Sequence, residues 1–208
     1  MKTYLFDMDG TLVDSEYVWD VAFGRILEKY NIQIDMQKVR PVAMTMSLTE
    51  VANMFSANYP IPLSGEQLEK AIVDIVEDLY RYEVQPIQGM PDYIHQCHQQ
   101  GIQLVVVTSN RQDLTEMVLE RFGVLSCFDK LYCSSNNGLV KRDPNTYVHI
   151  LNELGVRAED TLLFEDAYYA IASAAQSGIP AIGIASPMNQ KDFIEHQVRT
   201  IQDYTELL

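Results

Sequence analysis

The sequence predicts an α/β protein: a Rossmann-like parallel sheet with helices on both faces, interrupted after its first strand by an all-helical domain. Three observations lead there. The runs at 4–6, 161–164 and 181–184 read as strands, the first two buried, and the β-branched run at 102–107 lacks the strict alternation of a half-exposed strand, which suits burial on both faces. From residue 86 onward strands alternate with helix-period segments, the pattern of a parallel sheet. Between 15 and 85, by contrast, every periodic segment has helical spacing. The expected division is 1–14 with 86–208 for the sheet domain and 15–85 for the insertion.

In chain order, residues 2–6 form the first strand, and Asp7-Met8-Asp9-Gly10-Thr11 leaves it. Asp14 or Ser15 is of the right type to cap the next helix, whose apolar face carries Trp19, Ala22, Phe23, Ile26, Leu27 and Tyr30. Asn31 ends it. A less regular piece (35–42) precedes a second helix marked by Leu48, Val51, Ala52 and Phe55. Tyr59-Pro60-Ile61-Pro62 is a break. Ser64 and Gln67 then have the form of a capping box and open a third helix along Leu68, Ile72, Ile75, Val76 and Leu79. Beyond Pro91 a polar helix runs to Gln100, where Gly101 stops it. The strand at 102–107 delivers Thr108-Ser109-Asn110, and a helix over about 111–122 follows. A short strand at 130–133 and a turn at Asn136-Asn137-Gly138 lead to Lys141-Arg142-Asp143-Pro144 and a helix ending near Gly155. The strand at 161–164 ends in Glu165-Asp166. An alanine-rich helix to Gly178, a strand at 181–184, and a tail with a short helix and a weak edge strand complete the chain.

Composition narrows the function classes. With 208 residues, 47% hydrophobic and 21% charged, the chain has ample material for a core. A net charge of −14 argues against nucleic acid or an anionic membrane as partner. An anionic small substrate stays open, because a metal and one or two local cations can invert the field inside a pocket. Cys97, Cys127 and Cys133 are odd in number and lack C-x-x-C spacing, which reads as reduced thiols in a cytoplasmic protein. No secretory leader and no membrane-spanning run is expected. A monomer is expected.

The chemistry starts at Asp7 and Asp9. If the strand pleat continues, both carboxylates point into one small space. Like charges that close raise each other's pKa unless a cation lies between them. The stretch therefore predicts a divalent metal, or a carboxylate pair acting as nucleophile and acid–base, or both; a solvated acidic turn is the plain alternative. Ligands of parallel sheets bind at the carboxyl ends of the strands. Those ends gather Asp7, Asp9, Thr108, Ser109, Asn110, Glu165 and Asp166, with Lys141 on the same rim. His95 and His98 flank Cys97 on the polar helix and read as a solvated face.

These motifs, in this order, resemble the haloacid dehalogenase-like hydrolase superfamily, in particular its phosphoglycolate phosphatase-like and β-phosphoglucomutase-like branch with a helical cap. The stretch from Asp7 to Glu16 is similar to the first motif of that family, Thr108-Ser109-Asn110 to the second, Lys141 three residues before Pro144 to the third, and Phe164-Glu165-Asp166 to the fourth. The resemblance implies a Mg²⁺-dependent phosphatase of small phosphorylated metabolites. Asp7 would be the nucleophile that forms an aspartyl-phosphate, and Asp9 the general acid and then base. Asp7, Asp166 and the backbone carbonyl of Asp9 would hold Mg²⁺, with Glu165 orienting a bound water. Lys141, the Thr108 hydroxyl and the backbone near Ser109 and Asn110 would bind the phosphoryl oxygens. Closure of the cap, hinged near 14–15 and 85–89, would bring Trp19 and Met44 to bear on substrate choice.

The chain also departs from the family pattern. Ala167 and Ala170 stand where serine and glycine are usual, and Arg142 follows the motif lysine in place of proline. The loop 41–47 is neutral and carries Met44 and Met46, an adaptable apolar surface. Arg111 and Arg142 are further cations beside the motifs. The alternatives are a phosphomutase of the β-phosphoglucomutase type, which the resemblance pairs with a histidine where Trp19 stands, and a non-catalytic regulator on the same fold.

Overall fold

The computed structural model describes residues 2–35, 39, 46–133 and 140–208. The loop 41–45 with Met44, and the turn expected at Asn136-Asn137-Gly138, lie outside them. The chain divides into two compact units, Met1–Glu16 with Val84–Leu208, and Tyr17–Glu83.

The first unit is built on a six-stranded parallel sheet. Its strands are β1 (Thr3–Phe6), β4 (Gln103–Thr108), β5 (Lys130–Cys133), β6 (Thr161–Glu165), β7 (Ala181–Ile184) and β8 (Thr200–Ile201), in the order β5-β4-β1-β6-β7-β8. The first strand of the sequence is thus central, with Phe6 in register with Val106 on one side and Phe164 on the other. Alternation along β1 feeds two cores. Phe6 stacks on Phe164 with ring centroids 4.6 Å apart and planes 6° apart. Tyr204, from the C-terminal 3₁₀ turn Tyr204–Leu207, and Tyr93, from α4 (Met90–Gln99), close around that pair. On the opposite face Leu5, Val105 and Leu163 pack with Tyr147 and Ile150 of α6 (Pro144–Leu154) and Ala174 of α7 (Tyr168–Gln176). Helices α5 (Gln112–Arg121) and α8 (Gln190–Glu195) complete the unit. Burying β1 on both faces removes its alternating polar positions, which is why its sequence reads as a continuous apolar run.

A feature the sequence pattern does not announce lies in this unit. Strands β2 (Val13–Asp14) and β3 (Gln85–Pro86) pair antiparallel, Val13 with Pro86 and Asp14 with Gln85. Two residues are too short to show a period.

The second unit carries helices α1 (Val18–Lys29), α2 (Leu48–Asn58) and α3 (Gly65–Tyr82). Capping boxes start two of them. Ser47 and Glu50 satisfy each other's backbone N–H at α2, and Ser64 and Gln67 do so at α3, each leaving fewer unsatisfied donors in the first turn. Phe55 packs between Phe23 and Tyr59, both with ring centroids 5.2 Å away. Neither Asp14 nor Ser15 caps α1. The N-cap is Tyr17, with no side-chain bond, and Ser15 is committed elsewhere. Asn31 follows the helix with φ of 53°, the left-handed conformation that asparagine tolerates.

Candidate active site

The polar cluster stands at the carboxyl ends of β1, β4 and β6. Asp7 extends the β1–β6 ladder by one bond, its N–H donating to the Phe164 carbonyl at 3.0 Å, so the sheet itself sets the carboxylate's position. Beyond it the chain turns sharply: the N–H groups of Leu12 and Val13 both donate to the Met8 carbonyl, at 2.8 and 3.0 Å. Gly10 makes that turn with φ of +71°. A Cβ there would also lie 2.8 Å from Asp166 Cγ, so glycine serves both the turn and the close approach of that carboxylate.

Lys141 sits in the middle. Its Nζ is 2.7 Å from Asp7 Oδ1 and 2.8 Å from Glu165 Oε2, and all three side chains are buried. Glu165 also accepts the Ala167 N–H on Oε1 at 3.1 Å, so both its oxygens have partners. Asp7, Glu165 and Asp166 each offer an oxygen, and the three oxygens lie within 4.8 Å of one another. Two neutral donors reach Asp9. Ser15 Oγ donates to its Oδ1 at 2.7 Å and Asn110 Nδ2 to its Oδ2 at 2.9 Å. The Asn110 amide is oriented by the Arg111 N–H, which donates to Oδ1 at 2.7 Å. Thr108, buried at the end of β4, accepts the Asn110 N–H on its hydroxyl at 3.0 Å, and Ser109 beside it is exposed.

One ammonium does not balance three carboxylates, two buried and one half-buried. Burial, then the Glu165 charge, pushes the Asp7 carboxyl up to about 7, against the pull of Lys141. Burial, with Asp7 and Glu165 beside it, pushes Asp166 up to about 10. Burial works against the Lys141 charge, but the two carboxylates it touches overcome that and hold it protonated. Oxygen donors, excess negative charge and raised carboxyl pKa values are what a hard divalent cation would relieve, so these residues fit such an ion.

The family model described as haloacid dehalogenase-like hydrolase matches residues 4–184. The chain belongs to this hydrolase family. Among curated relatives of the haloacid dehalogenase-like hydrolases, it is 27% identical to validoxylamine A 7'-phosphate phosphatase of Streptomyces hygroscopicus subsp. limoneus, over 99% of this chain and 95% of that protein. Among solved structures it is similar to a putative β-phosphoglucomutase from Thermotoga maritima, with a TM-score of 0.83, 23% identity and coverage of 96% and 93% of the two chains. The putative HAD-hydrolase YfnB from Bacillus subtilis, solved bound to magnesium, superposes with a TM-score of 0.77 at 22% identity, covering 99% of this chain and 96% of that one.

Measured against the haloacid dehalogenase-like pattern, the structure brings Asp7, Lys141, Glu165 and Asp166 into one cluster and Asp9, Thr108 and Asn110 beside it. Arg111 pairs with Asp113, and the exposed Arg142 places its guanidinium 4.1 Å from the Tyr169 ring centroid. Trp19 is half exposed on α1. Ser15 enters the site as a partner of Asp9, a role its position beside the first motif signals only in hindsight. His95 and His98 are exposed on α4, as expected of a solvated face, while Cys97 between them is buried and His95 Nδ1 lies 3.4 Å from Cys127 Sγ.

Proposed function

We propose that this chain is a Mg²⁺-dependent phosphatase of small phosphate monoesters that works through an aspartyl-phosphate on Asp7. The observation that carries the reading is the different company of two carboxylates two residues apart. Asp7 lies against the Lys141 ammonium among acidic groups, as a nucleophile needing a counter-charge does, whereas Asp9 accepts from the Ser15 hydroxyl and the Asn110 amide.

Asp7 attacks phosphorus while Asp9 gives its proton to the leaving alcohol. Water then attacks the phosphoaspartate, and Asp9 takes the proton back. The Ser15 hydroxyl suits both stages, since it can donate to the Asp9 carboxylate and accept from the Asp9 carboxylic acid. Lys141 and the Thr108 hydroxyl neutralise and orient the phosphoryl oxygens, the main demand of phosphoryl transfer. Asp7, Asp166 and the Asp9 carbonyl would hold Mg²⁺, which when bound would supply further neutralisation of those oxygens. Glu165, with Lys141 on one oxygen and the Ala167 N–H on the other, keeps the lysine in place. The related phosphatase and the magnesium-bound neighbour support the same direction. We infer a cytoplasmic monomer; the three cysteines are buried and unbridged, as reduced thiols are, and no helix among the described residues is long and apolar enough to cross a membrane. A phosphomutase is disfavoured, since α1 carries no histidine.

The test is phosphate release from p-nitrophenyl phosphate and a panel of phosphorylated sugars and polyols, with Mg²⁺ or EDTA, for wild type and Asp7→Asn. The expected result is release that requires Mg²⁺ and disappears in the variant. Release that survives Asp7→Asn, or no release from any compound, would overturn the reading.

A further inference from the structure

Asp166 is fixed in a way that its own helix does not explain. The N-cap of α7 is Ala167, which has no side chain able to cap, and at the start of that helix the Ala167 N–H donates to Glu165 Oε1 at 3.1 Å, across Asp166. A second hold, on Asp166 itself, comes from the loop after β7. Asn189 Nδ2 donates to the Asp166 carbonyl and to the Ile184 carbonyl, both at 2.9 Å, and its Oδ1 accepts the Ser186 N–H at 2.8 Å. One amide thus saturates both its donors and its acceptor while tying the ends of two adjacent strands together. The opposite side of Asp166 is its carboxylate, packed against Gly10 where no Cβ fits.

We propose that Asn189 is a positioning residue for Asp166: by clamping the Asp166 carbonyl it sets where the carboxylate stands relative to Asp7, and so how well the pair holds a divalent cation. The proposal rests on the reading of Asp166 as a Mg²⁺ ligand. Groups that orient a ligand from outside typically change metal affinity by about 10–100-fold when removed.

Isothermal titration of MgCl₂ into substrate-free wild type, Asn189→Ala and Asn189→Asp tests it, alongside thermal melting in EDTA and the Mg²⁺ dependence of turnover. Asn189→Asp keeps the size but replaces two donors with an oxygen facing two carbonyls. The expected result is Mg²⁺ binding weakened about tenfold or more in both variants. Turnover at saturating Mg²⁺ should stay within about threefold of wild type, as expected of a group that acts through another. Melting in EDTA should fall by only a few degrees, the usual cost of lost neutral hydrogen bonds. A melting loss with unchanged Mg²⁺ affinity would show Asn189 to be a structural fastening and overturn the proposal. Should Asn189→Ala not fold, Asn189→Ser carries the same expectation. Wild type that binds Mg²⁺ equally with either variant would sink this inference alone, whereas wild type that binds none would sink the metal reading as well.

Discussion

Replacing Lys141 by methionine keeps most of the buried stem and deletes the cation that touches both Asp7 and Glu165. Glu165 is fully buried, so its charge would lose its counter-ion with no water to replace it. Breaking such a pair from one side costs about 3–5 kcal/mol. The variant has one escape, for the acidic cluster as a whole to take up a proton. That costs about 1.4 kcal/mol for each pH unit above the unfolded carboxyl value, or about 4 kcal/mol at pH 7.5 and under about 2 kcal/mol at pH 5.5. The deficit should therefore grow with pH. At this chain length 1 kcal/mol moves the melting midpoint by about 2–4 °C, so Lys141→Met should melt about 8–16 °C lower at pH 7.5 in EDTA and only a few degrees lower at pH 5.5. Phosphate release should fall about 100–1,000-fold, as for loss of a donor to a developing oxyanion. Differential scanning calorimetry at the two pH values, with steady-state turnover, measures both. A deficit of equal size at both pH values would refute the counter-charge argument, and wild-type turnover would refute the role at phosphorus.

Three further outcomes are expected. Gly10→Ala forces a side chain into the left-handed region, at about 1–2 kcal/mol, and against Asp166, so calorimetry should show Mg²⁺ affinity falling far more than the melting temperature. In EDTA the raised carboxyls of Asp7 and Asp166 bind more protons folded than unfolded, so stability should decline as pH rises from about 4 through 7 toward 10. Mg²⁺ should flatten that decline and release protons on binding, read as a buffer-dependent calorimetric enthalpy; a metal-free melting curve flat with pH would contradict it. Trp19→Ala should reorder the preferred substrates on the phosphate-release panel while leaving p-nitrophenyl phosphate turnover within about threefold, and equal losses on all substrates would count against a role in selection.

What could be read from the sequence follows from where each residue's partners lie. Asp7, Thr108 and Glu165-Asp166 end apolar strands, and a parallel sheet brings such ends together without any knowledge of side-chain contacts. Lys141 was legible from its spacing to Pro144, which opens α6. Ser15 was misread as a helix cap because serine beside a helical pattern has that form, while its real partner, Asp9, lies six residues back across a turn. Asn189 gave no signal at all. Its partners are backbone groups, and a carbonyl looks the same in every residue. The β2–β3 pair was invisible because two residues on each strand carry no period.

That small ladder has a consequence of its own. Because Val13-Asp14 and Gln85-Pro86 run side by side, the sheet unit presents its outgoing and returning chain about 5 Å apart. The 67 residues of Tyr17–Glu83 are spliced into a gap that a tight turn could close. Such a socket imposes almost nothing on what is plugged into it beyond neighbouring termini. Another helical module with neighbouring termini could be spliced there without redrawing the strands β1 and β6 that lead to Asp7 and Asp166.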